Sequence, residues 1–162
     1  MLAQFAELFA ASGFDPRAFL PSYGLAEATL AVSFTPLWRG VRADWIDRDA
    51  YENTGQATPA TANGEGRARA FTRCGPPLPG YAIQIRDDAD RLLPERAIGR
   101  VVVRGPSLMR EYFNNPGKTR EALLPDGWLD TGDMGYLVDR ELVITGRRKD
   151  MIICNGRNIW PQ

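Results

Sequence analysis

Tyr136-Leu137-Val138-Asp139-Arg140-Glu141-Leu142-Val143-Ile144-Thr145 reads as two apolar strand segments, 136–138 and 141–145, folded around Asp139-Arg140. Working outward, residues 81–86 alternate apolar and polar, Asp87-Asp88-Ala89-Asp90 supplies a turn, and 101–104 is a β-branched run. Pro76-Pro77 and Pro79-Gly80 punctuate the entry to these segments, and Asn115-Pro116 opens a helix predicted to reach Leu123. This texture predicts a small distorted β-barrel or sandwich over 71–146.

The first part of the chain has a different texture. Leu2, Phe5, Leu8 and Phe9 recur at helical spacing with Gly13 as a stop, predicting an amphipathic helix whose apolar side needs a sheet to cover. Asp15-Pro16 is an N-cap followed by proline at the first helical position. A buried strand is predicted over 30–34, and a short helix over 47–53, capped by Asp47 and stopped near Gly55. Residues 57–70, with Pro59, Asn63-Gly64 and Gly66, read as a flexible connection. The expected architecture is therefore α+β: residues 1–56 finish an α/β sheet layer, 57–70 connect, and 71–146 form the β-barrel.

Twenty Lys and Arg balance twenty Asp and Glu among 162 residues, so no global field gathers nucleic acid or an acidic membrane surface. The absence of His argues against a zinc site or a Ser/His relay and leaves carboxylates and cations for any chemistry. Cys74 and Cys154 lack CxxC spacing and fit two reduced thiols, with one long-range bridge left open. No signal peptide and no membrane span is read, which makes a soluble, cytoplasmic chain the expectation.

Three constellations carry candidate chemistry. Tyr23-Gly24-Leu25-Ala26-Glu27 offers an aromatic face, a glycine that permits close backbone approach, and a carboxylate able to give Mg²⁺ one oxygen. The ordinary alternative places Tyr23 in a core and uses Glu27 to cap a turn. Thr131-Gly132-Asp133 aims a carboxylate that can accept from two adjacent ribose hydroxyls, or makes a local turn bond. Arg147-Arg148-Lys149 brings three cations after a strand and a glycine, suited to an oxyanion or to a solvated turn. Gly156 allows a left-handed turn before Arg157-Asn158.

In their joint order these pieces resemble the adenylate-forming superfamily of acyl-CoA synthetases, adenylation domains and luciferases, and most of all fatty acyl-AMP ligases. The resemblance rests on 23–30, on Cys74-Gly75-Pro76-Pro77-Leu78-Pro79-Gly80, on Arg104-Gly105-Pro106-Ser107, on 127–133 and on 146–162, nearly the whole chain. It implies that Tyr23 stacks on adenine with Gly24 beside it, and that Glu27 helps hold Mg²⁺. Asp133 would grip the ribose, Arg147 would reach ribose or phosphate, and Lys149 would occupy the hinge position of a 147–162 segment. It further implies ATP/AMP as nucleotide, a fatty acid as substrate, and an acyl carrier protein phosphopantetheine thiol as acceptor.

Two departures stand out: Ala26 replaces a threonine common in the superfamily, and Arg100 stands where a glutamate commonly follows Gly99. No Gly-, Ser- and Thr-rich phosphate loop ending in Lys precedes Tyr23, and no Lys-bearing domain follows Gln162. The resemblance is thus to part of an N-terminal domain, expected to be inactive alone, with the remainder of a ligase as a partner. The alternatives are a piece of a fatty acyl-CoA ligase and a non-catalytic interaction module.

Overall fold

The computed structural model describes residues 2–61, 67–150, 152–154 and 157–159, the last two stretches as backbone only. Asn63-Gly64, Gly66 and Gly156, the side chains of Arg157 and Asn158, and the Cys154 thiol lie outside the described residues. Helix α1 (Leu2–Phe9) tightens into a 3₁₀ turn and ends at Gly13, which takes left-handed backbone at φ 81° and donates its N–H to Ala10 O. That glycine stop is the one predicted. The covering sheet is not found among the described residues: Ala6 is buried, but Leu2, Phe5, Leu8 and Phe9 stay exposed. Phe5 instead packs against Phe14 and Phe19, whose rings lie 5.2 and 6.0 Å from its own.

Strands β1 (Ser22–Tyr23) and β2 (Ser33–Phe34) pair antiparallel and close a tight loop between them. The strand expected over 30–34 therefore shrinks to its last two residues. Leu30 is exposed, and its carbonyl abuts Gly24, where an added Cβ would come within 1.7 Å of the Leu30 oxygen. The backbone there must turn rather than extend.

Next come β3 (Ala43–Asp47), α2 (Arg48–Thr54) and β4 (Ala68–Thr72), with β3 and β4 paired in register Ala43↔Thr72 through Asp47↔Ala68. As the sequence predicts, Asp47 caps α2 by accepting from Ala50 N–H, and Gly55 ends it at φ 64°. The flanks of the expected connection are built in. Ala57 is fully buried, Ala57 N–H donates to Arg96 O, and Ala60 N–H donates to Trp45 O.

The centre of the molecule is an antiparallel sheet of β5 (Ala82–Arg86), β6 (Gly99–Arg104), β7 (Leu129–Val138) and β8 (Glu141–Arg147), with α3 (Pro116–Ala122) between β6 and β7 in the chain. Asn115 caps α3, with Pro116 at its first position, as its sequence predicts. Asp139 and Arg140 form the hairpin turn in left-handed backbone, φ 52° and 61°, and their N–H groups donate to the Glu95 carboxylate. Between Met134 and Gly135 the pairing with β8 slips, so that Gly135 faces Ile144 while Met134 faces Gly146.

Within the α+β architecture expected, the four named strands form an open sheet rather than a closed barrel among the described residues. The β3–β4 pair packs over one face, and the chain just past β4 runs along the β8 edge, where Arg73 bridges Val143, Cys74 N–H donates to Leu142 O and Leu142 N–H donates to Gly75 O. Apolar clusters cover both faces of the sheet. Tyr23, Ala28 and Val32 pack with Ile83, Ile85, Val101, Val103, Leu129 and Leu142 on one side. Ile46, Tyr51, Ala57 and Phe71 pack with Tyr136, Val138 and Val143 on the other. Each such large apolar side chain contributes about 1.5–3 kcal/mol on full burial.

Asp44 ties the overlying layer to the sheet. Its carboxylate accepts from Tyr136 Oη at 2.7 Å and from the guanidiniums of Arg96 and Arg73 at 3.2 and 3.3 Å. Arg73 also reaches Asp139 and Glu141, and Glu141 pairs with Arg42. Burial alone would raise the Asp44 pKa, but the Tyr136 hydroxyl and the arginines outweigh it and hold the carboxyl below its usual range.

Replacing Asp44 by Ala strands these donors and is expected to cost about 3–5 kcal/mol, read as a shifted urea midpoint. Because the folded pKa is depressed, Asp44's contribution is fully present above about pH 4 and is lost as pH falls through the lower folded value. Asp44→Asn is expected to flatten that part of the acid dependence when denaturation midpoints are followed from pH 5 downward.

Candidate functional site

The loop between β1 and β2 brings Gly24, Leu25, Ala26 and Glu27 to the wall of an open cavity of about 860 Å³. Thr131, Gly132 and Asp133 from β7, Tyr112, Lys118 and Glu121 from and before α3, and Arg147, Arg148 and Lys149 complete the lining. Ligand cavities commonly measure roughly 300–1,000 Å³, so the space suits a small organic molecule. Gly24, Glu27, Asp133, Arg147 and Lys149, picked out from widely separated stretches of sequence, thus meet at one place.

Asp133 is the most constrained of them. It is 9% exposed, and strand register sets it directly opposite Arg147. Arg147 Nε lies 3.3 Å from Asp133 Oδ1, while Tyr23 Oη donates to Asp133 Oδ2 at 2.6 Å. The Asp133 N–H donates to Thr131 Oγ1. Both carboxylate oxygens therefore point along fixed directions.

Tyr23, expected to stack on adenine, is 9% exposed, and Gly24 to Glu27 rather than Tyr23 itself line the cavity. Its ring packs among Ala28, Val32 and the sheet residues, and its hydroxyl is spent on Asp133. Burial first, then the bond to Asp133, pushes the phenol far above its ordinary pKa, so it remains a donor across neutral pH. Its contact with the site is made through Asp133.

Glu27 is half-buried, and its Oε1 accepts from Tyr112 Oη at 2.7 Å. No group of three His, Cys, Asp or Glu is placed to hold a metal unaided among the described residues. One carboxylate is nevertheless the donor that Mg²⁺ takes when it arrives with phosphates, because that ion commonly keeps waters and uses one or two carboxylates. Cys74 is free, and burial pushes its thiol up to about 11, away from reactivity.

Of the residues lining the cavity, Tyr112, Lys118 and Glu121 belong to none of the three stretches singled out in the sequence. Residues 105–113 follow neither a helical nor a strand period, so nothing local marks Tyr112 as facing Glu27 across 85 positions. Arg100 was noticed as a departure, and its place is now clear. Buried at 6% exposure, its guanidinium pairs with Asp90 and Asp130 and donates to Asp87 O. Asp130 in turn accepts from Gly132 N–H at 3.0 Å, so Arg100 braces the turn that carries Asp133. Arg148 reaches Asp88 at 3.0 Å on the turn that also holds Arg100.

A carboxylate, an arginine and a glycine loop thus surround one open cavity. The chain belongs to the AMP-binding enzyme family, whose sequence profile matches residues 2–113. It is 53% identical, over 99% of its length, to a Caulobacter vibrioides protein provisionally named an acyl-CoA synthetase, of which it covers 28%. It is 36% identical to the medium-chain-fatty-acid–[acyl-carrier-protein] ligase JamA of Moorena producens, over 98% of this chain and 28% of that protein. A structure from work on fatty acyl-adenylate ligases of E. coli and L. pneumophila superposes with a TM-score of 0.92 at 46% identity, covering 99% of this chain and 29% of that one. The chain thus spans somewhat over a quarter of the length of these relatives. No helix among the described residues is long and apolar enough to cross a membrane.

Removing the Tyr23 hydroxyl leaves one oxygen of a buried carboxylate without its donor. Tyr23→Phe is expected to destabilise the chain by about 1.5–3 kcal/mol, the range for hydrogen bonds to charged groups, as measured by denaturant unfolding.

Proposed function

We propose that this chain is part of a fatty acyl-AMP ligase and forms the adenosine side of its site. The observation that carries this reading is the convergence of Gly24, Glu27, Asp133 and Arg147 on one cavity. Asp133, held from two sides, is set to accept from the ribose hydroxyls. Arg147, 60% exposed at its side chain, is free to swing toward ribose or phosphate oxygens while keeping its pairing to Asp133. Gly24 lets the main chain approach the ligand closely. Lys149, the family's hinge position, lies exposed at the cavity mouth.

In the parent reaction a fatty acid carboxylate oxygen attacks the α-phosphorus of ATP, the bond to pyrophosphate breaks, and acyl-adenylate remains. A thiol then attacks the acyl carbon and AMP leaves. Such chemistry depends on positioning and on charge stabilisation, which suits a chain without histidine. Mg²⁺, when bound, would neutralise developing phosphate charge, with Glu27 as the side chain offering it an oxygen. The carrier-protein thiol is the acceptor favoured by the similarity to JamA and to the fatty acyl-adenylate ligases. The name of the C. vibrioides relative keeps CoA as the second reading.

The 162-residue chain is expected to bind AMP, and Asp133→Ala to weaken that binding by about tenfold, measured by calorimetric titration. Because these residues include no glycine-rich phosphate loop, incubation with ATP, Mg²⁺ and a medium- or long-chain fatty acid is expected to release no pyrophosphate. Acyl-adenylate in that mixture overturns the assignment of the chain to one side of the site.

A further inference from the structure

We propose that Tyr112 is the positioning residue for Glu27, fixing which carboxylate oxygen the cavity offers to the charged end of a nucleotide. This rests on the nucleotide reading above. After β6 ends at Arg104, residues 105–113 run back across the loop that carries Glu27. Ser107 Oγ donates to Ala28 O at 2.8 Å, and Met109 N–H donates to Glu27 O at 2.7 Å. The Glu27 main chain is therefore held by the same segment whose Tyr112 hydroxyl holds its side chain.

Tyr112 is itself braced from the other side. Its N–H donates to Thr119 Oγ1 at 3.0 Å, and that hydroxyl donates to Asn115 O at 2.9 Å, so the tyrosine is tied to the first turns of α3. Lys118 and Glu121 of the same helix line the cavity. With Oε1 occupied by the phenol, Oε2 of Glu27 has no hydrogen-bond partner among the described residues. Burial first, then the bond to Glu27, pushes the Tyr112 phenol up to about 12, so it stays a donor at neutral pH. A glutamate otherwise free to rotate on a cavity wall would lose conformational entropy on meeting a cation, and a glutamate already fixed loses less. The arrangement thus favours phosphate-bound Mg²⁺ without touching the adenosine end.

The test uses the 162-residue chain with two probes, AMP alone and ATP with Mg²⁺, followed by calorimetric titration. Tyr112→Phe is expected to weaken binding of ATP with Mg²⁺ by about tenfold while AMP affinity stays within about twofold. Glu27→Gln should show the same selective loss, and the double variant should be no weaker than Glu27→Gln alone. Equal losses for both probes, or no loss for either, overturn the proposal. A second measurement keeps Tyr112 in place: in Glu27→Gln the ¹³Cζ resonance of Tyr112 should move while those of Tyr51 and Tyr136 do not, and an unmoved resonance also overturns it. Failure of the unsubstituted chain to bind AMP defeats the nucleotide reading itself and this inference with it. Normal AMP binding with an inert Tyr112→Phe defeats the inference alone.

Discussion

A single buried hydrogen bond, from the Tyr23 hydroxyl to the Asp133 carboxylate, joins two parts of the chain separated by 110 positions. Everything on the cavity side of the sheet is arranged around it. A carboxylate at 9% exposure is tolerable only when its oxygens are satisfied, and here a phenol supplies one side and Arg147 the other. The tyrosine can supply its hydroxyl because its ring is anchored by Val32 and Val103, so apolar packing fixes the direction of a polar group. The loop holding Gly24 and Glu27 is consequently carried to the sheet by the same contact that orients Asp133.

Charge is distributed over the site in a way that a count of residues conceals. The whole chain is neutral, yet Lys118, Arg147, Arg148 and Lys149 face Glu27, Glu121 and Asp133 around one hollow. Arg147 is held by Asp133, Arg148 by Asp88 and Lys118 by Glu121, all in partly exposed pairs that water weakens. An anion entering the hollow can therefore compete for these cations at modest cost. Arg100 belongs to a different group: deeply buried and multiply paired, it acts as a strut under the 130–133 turn rather than as a ligand-facing cation.

Local chemistry was legible in the sequence wherever a single residue decides the backbone. Gly13, the Asp47 and Gly55 pair, Asn115-Pro116 and the Asp139-Arg140 hairpin all act within four or five positions, and each sits where its chemistry predicts. The motif residues of the site were legible too, through resemblance rather than through periodicity. Three features were not legible. How β3 and β4 fold over the sheet depends on contacts such as Asp44 with Tyr136, 92 positions apart, which no local pattern encodes. The burial of Tyr23 depends on what packs behind it. The role of Tyr112 needs the return path of 105–113, set by hydrogen bonds to Glu27 and Ala28 rather than by any period of its own.

The slip in pairing between β7 and β8 has a consequence for the parity of the chain. Side chains alternate between the two faces of a sheet, so one supernumerary residue reverses the facing of all that follow it on that strand. Leu142 points to the Tyr23 side and Val143 to the opposite side, and unbroken alternation would send Arg147 with Val143. The residue accommodated near Thr145 turns it over, and Arg147 arrives on the same side as Asp133. The handedness of the site, in this sense, is written as an odd number rather than as a motif.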